Sequence, residues 1–435
     1  MAETASMRGA EAPVARPERA ARQGSFVGKV AFGAVALFAA QLYLSPAQWF
    51  PVLEPLHVAL LLSLLGLSAL VLQRVLTNQP LWLGWRTAIL AVYVLEAMLS
   101  PLWSLDRAGS LEGAAELAKH LLFFVGLTNT ATTPSRIRTA LLLYAGAAIV
   151  PACGTFWNYM HGEMLVEGFR GRWLGMMADP NHDAMGLVGV VPILLYFALH
   201  GQGAWRKAIG LFGVAACTAG VIATHSRGGS IGLAVSIFVW ALLSRHKLAA
   251  LGAAALIACG MLLFAPTSFW QRNETIGGYA LDESVRGRMH AWDVAGRIAQ
   301  ERPLLGVGEQ AFLSAWQEYA PIDAGPHRYV AHNLFLEVLG NLGVIGLFSL
   351  LGFLACALWS GWRARNGSMG NEARAVLAAL MGYLVCQQFS GYSLSWFTYS
   401  LCAFAACIDH WAPKVARPRV PVGLQLVSPP SLAVA

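Results

Sequence analysis

Apolar runs of roughly 20 residues, the length a helix needs to cross a bilayer, recur along the whole chain between short polar connections. They fall near 30–50, 55–73, 81–100, 113–129, 139–158, 182–199, 207–223, 229–243, 248–266, 333–359, 374–391 and 393–411, which predicts twelve spans. The runs do not alternate in polarity, as the strands of a membrane β-barrel would. Pro46, Pro51 and Pro55 crowd the turn between the first two runs, so that pair is the least sharply bounded. The expected fold class is all-α: a polytopic membrane protein with about twelve transmembrane helices. Residues 1–29 form an Ala-, Pro-, Glu- and Arg-rich segment expected to be disordered. Residues 30–266 hold spans one to nine, 267–332 a long loop, 333–411 the last three spans, and 412–435 a short basic, Pro-rich tail. Within the long loop, 284–300 has the period of an amphipathic helix, and Pro321 and Pro326 mark a turn-rich end. No internal repeat is evident, and neither a separate soluble domain nor a cleavable signal peptide is expected.

Composition strengthens this picture. The chain is 57% hydrophobic and 12% charged, about half the charged fraction of soluble domains. Its net charge of +7 does not point to nucleic acid; its distribution reads out topology instead. With both termini placed in the cytoplasm, every cytoplasmic segment holds at least two Lys or Arg, and together they hold well over half of the 30. The other face then carries three informative segments: 101–107, about 159–181, and the long loop. Loops that outgrow a simple connection are usually functional. All seven cysteines fall inside apolar runs without metal-site spacing, which predicts small core residues and no disulfide framework.

The candidate chemistry lies on that outer face. Three spans open there with polar sequence: Asp179-Pro180-Asn181-His182, Ser226-Arg227-Gly228-Gly229 and Ala331-His332-Asn333. A helix N-terminus presents free N–H groups and the positive end of the macrodipole, so each is a ready anion site. Arg227, flanked by apolar helix, would clamp phosphate oxygens in a bidentate manner; an interfacial arginine reaching to headgroups is the bland alternative. The glycines after it permit close backbone approach. Arg288 lies on the loop helix four residues before Trp292, so the two share a face. A solvated helix face with pairs such as Asp293–Arg297 would account for it equally, and Arg286 and Arg297 compete with it by position. His332, held neutral by the helix N-terminus behind it, would serve as a general base; capping the helix is its other role. Asp179 and Asn181 fit helix capping better than catalysis, and Asp106 fits the cap of the fourth span. His182, His225, His290 and His327 come with no H-E-x-x-H pattern or carboxylate cluster, so no metal site is expected.

Taken in order, Arg170-Gly-Arg172, Asp179-Pro180-Asn181, Ser226-Arg227-Gly228-Gly229, Arg288-x-x-x-Trp292, Pro303-Leu-Leu-Gly306-Val-Gly308, His332-Asn333-x-x-Leu336-Glu337 and Gly343-Val-Ile-Gly346 resemble the O-antigen ligase family and its relatives, the O-antigen polymerases and O-oligosaccharyltransferases. The motifs cover roughly 170–350. The resemblance implies a fold like the membrane-embedded GT-C-type glycosyltransferases and a site on the periplasmic face of the bacterial inner membrane. It implies transfer of O-antigen from undecaprenyl diphosphate to a sugar hydroxyl of lipid A-core, inverting and without cofactor or metal. It assigns His332 as the base and Arg227 and Arg288 to the diphosphate; Arg172, Asp179, Asn181, Arg286, Trp292 and Asn333 stand beside them as further candidate site residues from the sequence itself. The implied partners are the carrier-linked glycan, lipid A-core and membrane lipid. A polymerase of the same superfamily differs from a ligase in its acceptor. A transporter or lipid flippase would show repeat symmetry and paired broken helices at mid-membrane; the sequence displays neither.

Overall fold

The computed structural model describes residues 15–412, apart from 246, 265–266, 268, 271–282 and 326. Every one of the twelve apolar runs falls on helix. In chain order these are α1 (Ala15–Leu44), the short α2 (Pro46–Trp49), α3 (Val58–Thr77), α4 (Trp85–Leu99), α5 (Arg107–Thr130), α6 (Pro134–Ala147) and α7 (Ile149–His161). They continue with α8 (Pro180–Val188), α9 (Val191–His200), α10 (Ala204–Ala223), α11 (Arg227–Leu243) and α12 (Lys247–Phe264). The long loop folds as α13 (Glu283–Glu301) and α14 (Phe312–Tyr319), and α15 (Leu334–Ala364), α16 (Gly370–Ser390) and α17 (Trp396–Trp411) complete the bundle. Among the described residues there is no strand, only one isolated bridge between Val166 and Arg170. Among the described residues, seven helical segments are long and apolar enough to cross a membrane, and α11 is a shorter apolar helix.

Three expectations need correction. Helix α1 begins at Ala15, inside the stretch expected to be disordered. Its Ala, Glu, Arg and Gln residues are strong helix formers, and Pro17 sits where a first turn tolerates it. Residues 1–14 and 413–435 lie outside the described residues. Two cysteines, Cys153 and Cys259, are exposed rather than core; both lie on outward faces of apolar helices. Broken helices do occur. The fifth run is split into α6 and α7 just before Pro151, and the sixth into α8 and α9 just before Pro192, as a ring lacking an N–H requires. The long loop also has an apolar core of its own. Ala291, Val294, Ala295 and Ile298 of α13 pack on Phe312, Ala315 and Trp316 of α14, at the i, i+3, i+4, i+7 spacing of one helix face.

The third break controls the site. Inside α15, Gly343 takes φ 64° and ψ −161°, and the helix is interrupted there. The freed backbone groups are taken up by the Pro303–Gly308 segment. Val307 N donates to Gly340 O at 3.0 Å, Gly308 N to Asn341 O at 2.8 Å, and Val344 N to Pro303 O at 2.8 Å. Irregular backbone at membrane depth is tolerated only where protein satisfies it in this way. The fit is close: a Cβ on Gly343 would lie 2.3 Å from Leu304 O, and one on Gly306 would lie 2.4 Å from Gly340 O. The connection after α4 completes the clasp, with Leu105 N donating to Val307 O at 3.0 Å and Trp103 Nε1 to Leu305 O at 3.0 Å.

Gly343→Ala and Gly306→Ala should each destabilise the protein by on the order of 2–4 kcal/mol, through positive φ and backbone overlap together. Gly296→Ala is the control, because a Cβ there meets nothing within 4 Å; in a helix it should be neutral or mildly stabilising. Melting curves of the detergent-solubilised variants read this out. Equal melting temperatures across the three would refute the clasp.

Candidate functional site

The N-termini of α8, α11 and α15 and the C-terminal end of α16 meet at one end of the bundle. Each N-terminus carries its own cap. Asp179 accepts from Asn181 N at 2.8 Å and His182 N at 3.2 Å. Ser226 Oγ accepts from Gly229 N at 3.2 Å. Asn333 Oδ1 accepts from Phe335 N at 3.0 Å and Leu336 N at 3.2 Å. Such caps contribute about 1 kcal/mol each, and they answer the capping question: Asp179 and Asn333 cap helices, and His332 does not. Asp106 caps α5 through Gly109 N at 2.9 Å. The three ends are also tied together. Asn181 Oδ1 accepts from Ser226 Oγ at 3.0 Å, linking α8 to α11. Asn333 Nδ2 donates to Gln388 O at 3.2 Å, linking α15 to α16.

Arg227 and Arg288 line one small recess together with Asn181, His225, Gly228, Phe389 and Ser390. Two guanidinium groups from separate parts of the chain thus face the same space, one at a helix N-terminus and one from the loop helix. The Trp292 indole donates to Ala331 O at 2.9 Å, which fixes α13, and with it Arg288, to the residue before His332. His332 is not among the recess-lining residues but stands beside them. Burial, and then the Arg288 charge, depress its imidazole to about 4, with Asp179 opposing. It adopts φ 48°, and His225, one residue before the cap of α11, adopts φ 50°. Both sit in the left-handed region, which costs energy and clusters at functional sites.

The remaining expected residues divide. Asn181 lines the recess. Arg172 faces the loop instead: its Nε donates to Met164 O at 3.2 Å and its Nη1 to Ala178 O at 3.0 Å. Arg286 is exposed and lines no part of the recess. Asp293 and Arg297 form the expected local pair at 3.0 Å. Gly229 serves helix packing, since a Cβ there would lie 2.6 Å from the Ala184 Cβ of α8. Asp179 stays below the ordinary carboxylate range: burial raises it, but His182, two backbone N–H groups and Arg170 together outweigh burial. Among the described residues, no group of three or more His, Cys, Asp and Glu comes together as metal ligands.

Four residues escaped the sequence reading as site residues. Arg170 is buried; its Nη2 donates to Asn181 Oδ1 at 2.7 Å and its Nε to Thr224 O at 3.1 Å. Its place in the Arg-Gly-Arg motif was the available signal. Phe389 and Ser390 line the recess from α16, and nothing in their local sequence marks them. Glu309 is fully buried behind the site, where it accepts from Ser393 Oγ at 2.9 Å. The same hydroxyl lies 3.3 Å from Glu337 Oε1, so one serine joins the loop, α15 and the α16–α17 connection.

This is an all-α polytopic membrane protein with an arginine-lined recess at one end of its bundle. Residues 211–351, which include Arg227, Arg288 and His332, match the family model described as O-Antigen ligase. The chain is 28% identical over 305 residues to the O-antigen ligase of Pseudomonas aeruginosa, covering 68% of each. It is 25% identical over 317 residues to the exopolysaccharide production protein ExoQ of Rhizobium meliloti, covering 68% of this chain and 71% of that one. Over these residues the chain is similar to the O-antigen ligase family.

Burial raises Glu309 to about 7, against the lowering effect of Ser393, whereas an unfolded glutamate titrates near 4.3. Between those values unfolding releases a proton that the native state holds. The stability from this group is therefore full below about pH 4 and is lost as pH rises through about 7. Glu309→Gln should flatten that decline and raise stability at pH 8 by on the order of 1–3 kcal/mol. Melting temperature against pH, wild type beside variant, measures it; parallel curves would contradict the assignment.

Proposed function

We propose that this protein transfers a carrier-linked glycan from undecaprenyl diphosphate to a sugar hydroxyl of lipid A-core, at the periplasmic face of the inner membrane. The observation that carries this reading is the pairing of Arg227 and Arg288 in one recess, with the neutral imidazole of His332 beside it. A glycosyl diphosphate has a leaving group that gains negative charge as it departs. Two guanidinium groups and three helix N-termini at one place supply fixed positive charge for it without reorganisation. In a single displacement the acceptor hydroxyl attacks the anomeric carbon on the face opposite the diphosphate. The bond from that carbon to the diphosphate oxygen breaks and its electron pair leaves on the diphosphate. The hydroxyl proton passes to His332, and the anomeric centre inverts. The positive charge that the leaving group needs comes from the protein itself, so the reading requires no metal.

A second reading, polymerase rather than ligase, has one observation in its favour. The relative named for exopolysaccharide production matches as much of this chain as the one named O-antigen ligase. The two readings differ in acceptor alone. A third, transporter or flippase, gains from the interrupted helices, but Arg227 and Arg288 stand at one end of the bundle rather than at mid-membrane. Purified protein, carrier-linked glycan and lipid A-core with chelator present separate them. Glycan on lipid A-core supports the ligase, longer carrier-linked chains without it the polymerase, and glycan movement across vesicles without any new bond the flippase.

His332→Ala should lower kcat by about 10²–10⁴-fold with little change in melting temperature. Arg227→Lys and Arg288→Lys should not restore activity, because an ammonium cannot reproduce the bidentate fork. Wild-type activity at kcat/KM should fall on acidification near pH 4, where free His332 gains its proton. The kcat profile should break at higher pH, because the bound diphosphate offsets the Arg288 charge and restores basicity to the imidazole. Full activity of His332→Ala would end the base assignment.

A further inference from the structure

The other end of the bundle carries a second cavity, of about 220 Å³, where α6, α9 and α16 meet the α11–α12 connection. Helix α11 starts at Arg227 in the first recess and ends at Leu243, two residues before Arg245 in this one. Helix α16 starts here at Gly370 and ends at Ser390 in the first recess. At about 1.5 Å per residue these helices hold the two cavities roughly 25–30 Å apart, close to the hydrocarbon thickness of a bilayer. The second cavity therefore opens at the opposite membrane surface, the one where the basic residues concentrate.

Its lining is strongly basic. Arg138 comes from α6, Arg374 from α16 and Arg245 from the connection, with His200 at the end of α9. One carboxylate, the buried Glu372, is set among them, accepting from Arg138 Nε at 2.7 Å and from the Tyr196 hydroxyl at 2.7 Å. Arg374 is buried and donates to the Asn371 side chain at 2.9 Å, and Arg245 and Arg365 stand near enough for their charge to oppose its own. At the same end Arg86 and Arg363 share Asp409, outside the cavity. Helix α16 also begins here, at Gly370, and adds the positive end of its dipole. Topology signals alone would leave single arginines spread around the helix ends. Three from separate segments, in one recess with one carboxylate, make a built anion site.

We propose that this cavity binds a phosphate group at the second membrane surface: the headgroup of an anionic phospholipid, or a free phosphate-bearing solute. Guanidinium forks match phosphate oxygens in pairs, and basic pockets between transmembrane helices hold anionic headgroups in this way. This assignment is independent of the glycan-transfer reading.

The test uses full-length protein, delipidated in detergent and examined by native mass spectrometry and thermal shift. Phosphatidylglycerol, phosphatidylethanolamine and inorganic phosphate are added separately. The lipid arm holds if phosphatidylglycerol binds at least tenfold tighter than phosphatidylethanolamine and millimolar phosphate fails to displace it. The solute arm holds if phosphate itself raises the melting temperature and competes with the lipid. In either arm Arg245→Gln, an exposed residue whose loss should leave the unliganded melting temperature unchanged, should weaken binding about tenfold. Arg363→Gln, outside the cavity, should not. No preference between the two lipids together with no phosphate effect, or unchanged binding in Arg245→Gln, overturns the proposal.

Discussion

The interrupted backbone of α15 sets the geometry on which the rest of the candidate site depends. A helix that breaks within a membrane leaves donors and acceptors with no water to receive them. Here the Pro303–Gly308 segment supplies the missing partners, and the two backbones approach so closely that glycine is required on both sides. The long loop is therefore seated against the helix whose first turn follows His332. From that seat the chain runs one way to α13 and Arg288 and the other way to Glu309. The loop's own apolar core and the Trp292–Ala331 bond keep those positions in register. A loop held only at its two ends could not hold a guanidinium at a set place beside an imidazole.

Electrostatics at that end of the bundle are arranged in layers. Helix caps satisfy the first turns, so the N-terminal charge of three helices is left as a field rather than spent on unpaired donors. Arg170 fixes Asn181, and Asn181 joins α8 to α11 at the mouth of the recess. Beside this positive field a neutral histidine is the lower-energy state, and its depressed pKa follows from burial and from Arg288 together. The same charges that suit a diphosphate therefore keep the adjacent imidazole able to accept a proton.

The bundle joins two basic recesses with contrasting neighbours. At the first, the arginines share their recess with an asparagine, a histidine and helix ends. At the second, one buried glutamate sits among three arginines. Helices α11 and α16 run from one to the other, so the apolar length of these two helices fixes the separation of the polar ends. Pro151 and Pro192 break neighbouring spans without adding charge to the interior.

Much of this was legible in the sequence. The period and length of the apolar runs determined an all-α membrane bundle, because only continuous helix satisfies backbone in lipid. The amphipathic period of 284–300 determined α13, and Asp-Pro and Ser-Arg-Gly-Gly marked helix starts. Local signals of this kind depend on residues within a turn or two of each other, which is why they could be read. The tertiary structure alone decided that three helix starts meet, that Arg227 and Arg288 share a recess while Arg286 and Arg172 do not, and that Phe389, Ser390 and Glu309 belong to the same neighbourhood. It also decided that the helix from Ala15 displaces expected disorder and that α15 breaks at Gly343. Each of these follows from which distant segment supplies a backbone partner or a packing surface, and a one-dimensional pattern holds no record of that.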